Sequence, residues 1–600
     1  MLNKNHVRSA CIAGVFWGLS YYSLCAQAAD ELQPVVVTAT RTAQLADQTV
    51  TPAIVITRQD IELSQSRDVA ELLRFHAGIE LSRNGGPGQT TSLFVRGTDS
   101  DHVIVMIDGI KINARTVSIA AIQNINPDLI EQIEIVKGPR SSLYGSEGIG
   151  GVINIITRKS AQADDIIQAD AGAGTDNTRQ LHIGYHTLVK NARFGIDAKG
   201  FKTDGFPTLS NSSTDRGYEN NSLNTYVNTA LGATQVALAY WTAQGTTEYV
   251  TFLGDPVDQD FRNSVGSMSV KSAFGSHGSA NLKLSRAIDD IAQNQSDDQA
   301  KTTRNAVDFQ SDFDINGNNL LSAGWYYAEE KVDYVSFGSA LPEAGRNNIV
   351  KAVFLQDDFK FAANHLVAAL RYTDDKNFGD ETTYNLDYGY SFSPQLRLLA
   401  GVGTGFRAPS PVDRYGFGGN PDLKAETSQN FELGSRYQPD NHHSFSASLF
   451  QNDIDNLINY NFATSALENI GRTRIRGLEL GYQLRRQNWS SRMEILFQDP
   501  HDRDTGDRLL RRAKRILTAA VQYQKSAHTI GMDLLATSDR EDFDATLPSY
   551  GLVNFNYTYR LNPAWQFKTH IENLFDKEYQ LASGFNAQDR FIMLSVAYQR

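Results

Sequence analysis

Beyond residue 161 the chain alternates apolar and polar side chains with a period of two, repeatedly, between short polar breaks. Val553, Phe555, Tyr557 and Tyr559 fall on one face of such a segment, with Asn554, Asn556, Thr558 and Arg560 on the other. Phe445, Ala447 and Leu449 alternate with Ser444, Ser446 and Ser448. At the C-terminus Ile592, Leu594, Val596 and Tyr598 alternate with Phe591, Met593, Ser595 and Ala597. Successive side chains of a strand point to opposite faces, so each segment predicts a strand with one apolar and one mostly polar face. At roughly 20 residues per strand and turn, the region holds about 22 antiparallel strands, a number associated with a plugged lumen. Periodicity alone fits both a soluble sandwich, whose apolar faces meet in a core, and a lipid-embedded barrel, whose apolar faces point outward.

Residues 30–159 follow a different pattern. Arg67 to Arg74 reads as helical, with Val69, Leu72 and Leu73 on one side, and residues 93–95, 103–107, 133–136 and 152–156 read as short buried strands. This is the pattern of a compact mixed α/β domain. Ahead of it, Gln33-Pro-Val-Val-Val-Thr-Ala-Thr40 is a short β-branched run that belongs to no obvious hairpin. A free strand of this kind suits addition to a partner's sheet edge through backbone hydrogen bonds.

Composition narrows the choice. Lys4, His6 and Arg8 precede an apolar stretch, and Ala26-Gln-Ala28 supplies small residues for cleavage, so residues 1–28 read as a secretory signal. Both cysteines, Cys11 and Cys25, lie inside it, which leaves no thiol or disulfide chemistry for the exported chain. With 56 Lys+Arg against 68 Asp+Glu, the net charge of −12 argues against nucleic acid as a partner. Mean hydropathy is −0.37, and no long apolar run follows the signal, so helical membrane spans are excluded. Aromatics at 10% keep an outer-membrane barrel in play. No zinc-ligand or serine-nucleophile spacing occurs, and Gly145-Ser-Glu-Gly-Ile-Gly-Gly151 leads into a strand rather than a helix, so no catalytic or nucleotide site is expected.

Three motifs decide between sandwich and barrel. Arg83-Asn-Gly-Gly-Pro-Gly-Gln-Thr-Thr-Ser-Leu-Phe-Val-Arg-Gly-Thr98, His102-Val-Ile-Val-Met-Ile-Asp-Gly109 and Glu134-Ile-Val-Lys-Gly-Pro-Arg-Ser-Ser-Leu-Tyr-Gly145 resemble the plug of TonB-dependent outer-membrane receptors, and Gly150-Gly-Val-Ile-Asn-Ile-Ile-Thr157 closes the pattern. Gly405-Phe-Arg-Ala-Pro409, Asn420-Pro-Asp-Leu-Lys-Ala-Glu-Thr427 and Ile571-Glu-Asn-Leu-Phe-Asp-Lys-Glu-Tyr579 resemble that family's barrel motifs. The resemblance implies a signal peptide (1–28), a TonB-box segment (29–45), a plug (46–160) filling the lumen, and an outer-membrane β-barrel (161–600) of about 22 strands. Gln33, Pro34, Val35, Val36, Val37, Thr38 and Ala39 then resemble the TonB box, which pairs with TonB under ExbB/ExbD energy coupling.

Within the family, Asn84 to Gln89, Arg96-Gly-Thr98 followed by His102-Val103, and Leu509-Leu-Arg-Arg-Ala-Lys514 are most similar to the cobalamin (vitamin B12) receptors. That similarity implies cobalamin as cargo, with contacts at Thr90, Ser92, Asp99, Val117, Ser118 and Arg511, and an apical glycine loop that lets backbone approach the ligand. It also implies calcium ligands at Asp204, Asp215, Tyr249 and Asp260, although Val250 and Arg216 break the acidic pattern. Arg96 and Lys137 of the plug, with Glu432 and Glu479 of the barrel, are expected to form a charge cluster between the two domains. Import of a ferric siderophore or haem is the alternative cargo, and a passive porin or adhesin the alternative class. The ending Tyr598-Gln-Arg600 departs from the terminal aromatic residue usual for such strands.

Overall fold

The structure, a computed structural model, describes residues 35–159, 165–251, 254–461, 463–469 and 471–600. The signal segment, and Gln33 and Pro34 of the N-terminal run, lie outside the described residues.

Alternation resolves into a barrel. Twenty-two long strands pair antiparallel in sequence order from Ile166–Gly174 to Phe591–Gln599, with the two-residue Ser339–Ala340 counted as part of a loop. The last strand pairs back onto the first, from Gln168 opposite Gln599 to Gly174 opposite Met593, so no edge remains. The apolar phase of each strand points outward. In Gly379–Ser391, Thr383, Asn385 and Asp387 are buried inside while Tyr384 and Leu386 are exposed. Leu433, Leu449 and Leu594 are each more than half exposed on the outer wall, which suits hydrocarbon rather than water. A sandwich would have buried these same side chains against one another.

The two ends of the cylinder differ. One carries tight connections such as residues 190–191 and 232–233, whereas the other includes the 18-residue loops 408–425 and 573–590. Short turns mark the periplasmic side of such barrels and long loops the external side. Paired aromatic rings line the short-turn rim, Trp489 with Tyr523 at 4.6 Å and Trp565 with Tyr598 at 4.9 Å. Tyr598 thus holds an aromatic position of the rim two residues before the non-aromatic terminus.

A second domain fills the lumen. Its mixed sheet runs in the order Ala53–Ile56, Ile130–Lys137, Gly151–Thr157, Val103–Ile107, Ile110–Lys111, with only the Val103–Ile107 and Gly151–Thr157 pair parallel. Helix Arg58–Ser64 begins at a capping box made by Thr57 and Asp60, and helix Val69–Arg74 begins where Asp68 accepts the Glu71 N–H. Ile79–Arg83 and Thr91–Val95 form a separate hairpin whose tip is the glycine-rich loop. The plug core of Ile56, Leu73, Ile133 and Ile153 merges with Phe201, Tyr218, Trp241 and Phe261 of the barrel wall.

Candidate functional site

The hairpin tip reaches the long-loop end, and its glycines are required by close packing. Gly85 has φ +113°, and a Cβ there would stand 2.6 Å from Thr208 Cγ2; Gly88 has φ +74°, with a Cβ 2.1 Å from Tyr218. Barrel side chains thus take the space that a side chain at either position would need. Gln89 ties the loop to the wall by donating to the Glu248 carbonyl at 2.7 Å. Beside this tip, Thr90 and Val117 are exposed and Ser92 and Asp99 half-buried. Ser118 is fully buried, and its N–H donates to the Ala114 carbonyl, so its neighbour Val117 is the one of the two that offers surface.

Arg511 and Arg512 come down from the loop 503–514 onto this apex. Arg511 donates to Asp542 at 2.8 Å and to Ser82 Oγ at 3.3 Å, and its guanidinium lies over Phe543. Arg512 is paired with Asp99 and stacked 4.1 Å from the Phe94 centroid. Beneath them Glu80 accepts from the Ala513 N–H and from Gln498, both at 2.7 Å. Burial pushes the Glu80 carboxyl up to about 7, against the pull of those hydrogen bonds and of Arg540 and Arg512.

The four charges expected between plug and barrel do meet. Arg96, at φ +50°, donates to Glu432 at 2.9 and 3.2 Å and to Glu479 at 2.8 Å, with its guanidinium 4.4 Å from the Phe450 centroid. Lys137 bonds Glu479 at 2.9 Å and the Ala77 carbonyl at 2.6 Å. Burial opposes the Arg96 charge, but Glu432 and Glu479 outweigh it and hold its pKa above the ordinary arginine value.

A second cluster escaped the sequence reading. His102, fully buried, is paired with Glu426, whose carboxylate takes Arg407 Nε and a second guanidinium nitrogen at 2.9 Å each. Arg407 also reaches Asp413 at 2.8 Å and Asp101 at 3.2 Å. Burial disfavours the imidazolium, yet the Glu426 carboxylate raises the His102 pKa above its usual value. Arg407 and Glu426 sit inside the two barrel motifs already noted, in the inward phase at the ends of their strands, and that was the available signal. Arg67 with Glu572, at 2.5 and 2.8 Å, and Arg115 with Glu330, at 3.2 Å, extend the ionic belt.

At the short-turn end the N-terminal run is engaged, which corrects the expectation of a strand outside any hairpin. Val35–Val36 pairs antiparallel with Gln44–Leu45, and Val36 is fully buried against Ala39 and Val136. Glu134 Oε2 accepts the Val37 N–H at 3.0 Å, the Thr38 N–H at 2.7 Å and the Thr38 hydroxyl at 2.5 Å. Gln132 donates to the Val35 carbonyl at 3.0 Å. Val35 and Val37 remain exposed on the periplasmic side.

The calcium expectation finds no matching geometry. Asp204 accepts from Asn177, Asp260 from Thr246, and Asp215 stands exposed on the strand next to that of Asp204, opposite Pro207. Among the described residues no three His, Cys, Asp or Glu side chains are grouped to hold a metal ion. Calcium wants six to eight oxygens, and Val250, next to Tyr249, adds only a carbonyl; these residues do not fit the ion.

A closed 22-stranded cylinder, apolar outside and stoppered by its own N-terminal domain, defines an outer-membrane receptor with a plugged lumen. Residues 167–574 match the family model of the TonB dependent receptor-like β-barrel, and residues 46–152 match that of the TonB-dependent receptor plug domain. The chain belongs to the TonB-dependent receptor family and resides in the outer membrane. It is 29% identical over 602 residues to the vitamin B12 transporter BtuB of Vibrio cholerae, covering 95% of this chain and 96% of that protein. It is 28% identical to the BtuB of Photobacterium profundum, covering 94% and 95%. Among solved structures, a ferric enterobactin receptor (PfeA) variant from Pseudomonas aeruginosa superposes with a TM-score of 0.79 at 17% identity, over 94% of this chain and all of that one. The siderophore receptor PirA from Acinetobacter baumannii gives 0.79 at 18%, over 92% and 99%. At such identities the structural likeness speaks for the fold alone.

Proposed function

We propose that the protein imports cobalamin across the outer membrane by a TonB-driven cycle. The observation that carries the cargo is similarity along nearly the whole chain to proteins named vitamin B12 transporters. The apex chemistry agrees with it. The two arginines that touch the plug tip, Arg511 and Arg512, already face Asp542 and Asp99. What they leave for a ligand at Thr90, Ser92 and Val117 is neutral and small. A macrocycle edged with amides is oriented by such groups, whereas a multiply anionic iron chelate calls for unpaired cations.

In the working cycle, ligand fills the cup between the plug tip and the long loops. Occupancy shifts the population of the N-terminal run from its docked form to a released one. Release breaks the Val35–Val36 ladder and the three bonds to Glu134. Val35, Val36 and Val37 then add as a strand to TonB, and a motor in the inner membrane pulls through that strand. The outer membrane stores no ion gradient, so the work arrives mechanically.

Binding of labelled cyanocobalamin and of a ferric catecholate to the purified receptor tests the cargo. Saturable binding of the first and none of the second is expected; the reverse assigns an iron chelate instead. Uptake that persists in cells lacking TonB removes the energy coupling and favours a passive pore.

A further inference from the structure

The outer wall carries a feature that import does not use. Where strands Gly379–Ser391, Leu396–Arg407, Glu426–Tyr437, His443–Asp455, Arg472–Arg486 and Trp489–Asp502 run side by side, their lipid-facing surface is hollowed by about 1060 Å³. Leu386, Phe431, Leu433, Leu449 and Phe497 line it, each 43–63% exposed. Cross-strand register places these side chains in two adjoining rows. Leu433, Leu449 and Leu478 lead across to Phe497 and Arg515, and Phe431 and Gln451 lead to Arg476 and Asp499.

Polarity changes along the hollow. Its apolar wall lies toward mid-strand, and its charged lining clusters where the strands meet the external loop 503–514: Arg476, Asp499, Lys514 and Arg515. Asp499 is taken by Lys514 at 2.9 Å. Among the described residues, Arg476 donates to the amide oxygen of Gln451 at 2.8 Å, and neither its guanidinium nor that of Arg515 is in an ion pair. Asp499, opposite Arg476 in the ladder, is already held by Lys514, so the two exposed arginines leave an excess of positive charge in the lipid-facing phase, which is destabilising in hydrocarbon and tolerated only near the interface. There a guanidinium pairs bidentately with phosphate oxygens.

We propose that this hollow is a binding site for a phosphate-bearing, acylated lipid of the outer leaflet. Arg476 and Arg515 hold the phosphate, and the acyl chains lie along Phe431, Leu433 and Leu449. Charge complementarity selects this occupant over a neutral lipid, and the apolar wall below the arginines selects it over free phosphate.

The test uses the full receptor in dodecyl maltoside, with diphosphorylated lipid A as the probe and native mass spectrometry reading retained lipid. The wild-type barrel is expected to keep one lipid that the double variant Arg476→Gln, Arg515→Gln loses by about ten-fold or more, the loss of two charge-assisted contacts. Arg476→Lys with Arg515→Lys should recover part of the retention. Heat-modifiable migration of the folded barrel serves as the control that each variant is intact. Equal retention by the glutamine variant overturns the proposal. So does equal retention of the dephosphorylated lipid, and so does displacement by inorganic phosphate at the same concentration as the lipid.

Discussion

Removing Arg96 is the sharpest probe of how the plug is held. Its guanidinium is about 4% exposed, and it satisfies Glu432 twice and Glu479 once while stacked on Phe450. In Arg96→Ala, Glu479 keeps Lys137, but among the described residues Glu432 is left in the lumen with the Ser448 hydroxyl alone. Deleting one partner of a buried ion pair typically costs about 3–5 kcal/mol. At about 1.4 kcal/mol per decade, the plug-docking equilibrium should fall by roughly two to three and a half decades. Reconstituted in a planar bilayer and titrated with urea, the wild-type receptor should open to ion conduction at a defined midpoint. With a slope of roughly 1–2 kcal/mol per molar for a domain of this size, the variant's midpoint should drop by about 1.5 M or more. Exchanging the charges, Arg96→Glu with Glu432→Arg, should restore only part of the shift, because the new carboxylate faces Glu479; adding Glu479→Gln should restore more. An Arg96→Ala midpoint within error of wild type refutes the assignment of docking strength to this cluster.

Other consequences follow from the same contacts. Glu134→Ala removes three hydrogen bonds to Val37 and Thr38 at about 1.5–3 kcal/mol for each bond to a charged group, so a cysteine at the buried Val36 should react with a soluble maleimide about ten-fold faster or more; an unchanged rate counts against Glu134 as the holder of the run. Val36→Pro takes away a ladder donor, so cobalamin binding at the cell surface should persist while uptake collapses, and surviving uptake would remove strand addition from the cycle. Glu80, with its docked-state pKa at about 7 against an ordinary 4.5, keeps a proton that the undocked plug releases. Docking should therefore be strongest below about pH 4.5 and weaken as pH rises through about 7, with the urea midpoint lower at alkaline pH and Glu80→Gln flattening the change.

Much of the barrel was legible because a period of two survives in any strand that faces two different media. Tyr384 and Leu386 against Thr383, Asn385 and Asp387 is such a record. Which medium the apolar face meets was not local information: it depends on Phe591–Gln599 finding Ile166–Gly174, some 420 residues away. The same limit applies to the site. Arg96, Lys137, Glu432 and Glu479 were reached through motif resemblance, whereas the pairing of His102 with Glu426, 324 residues apart, has no sequence signature until the plug is threaded. The N-terminal hairpin was missed for a different reason. Gln44 and Leu45 carry no strand pattern, and a two-residue ladder is too short to produce one. At the apex, Gly85 and Gly88 announced a tight loop correctly, but only the positions of Thr208 and Tyr218 reveal what presses on it.

The distribution of charge along the lumen bears on how a plug can be firmly seated and still be moved. An apolar seam would resist displacement in proportion to its whole area, with no single contact whose loss frees the rest. Here the inward phase of the barrel is largely polar, with apolar contact to the plug in patches such as Phe201, Tyr218, Trp241 and Phe261, and ion pairing is concentrated in separate clusters around Arg96, His102 and Arg67. Each is strong while its geometry is kept and costly once one partner is withdrawn. Glu134, which holds the N-terminal run, and Lys137, which holds Glu479, lie three residues apart on the strand Ile130–Lys137. In the proposed cycle a pull on Val35–Val37 from the periplasm acts one short stretch of backbone away from the Arg96 cluster, while the apical contacts of Arg511 and Arg512 lie at the opposite end. Force delivered at that site meets the clusters one after another rather than all together, and that sequence of small barriers is what a polar lumen provides and an apolar one does not.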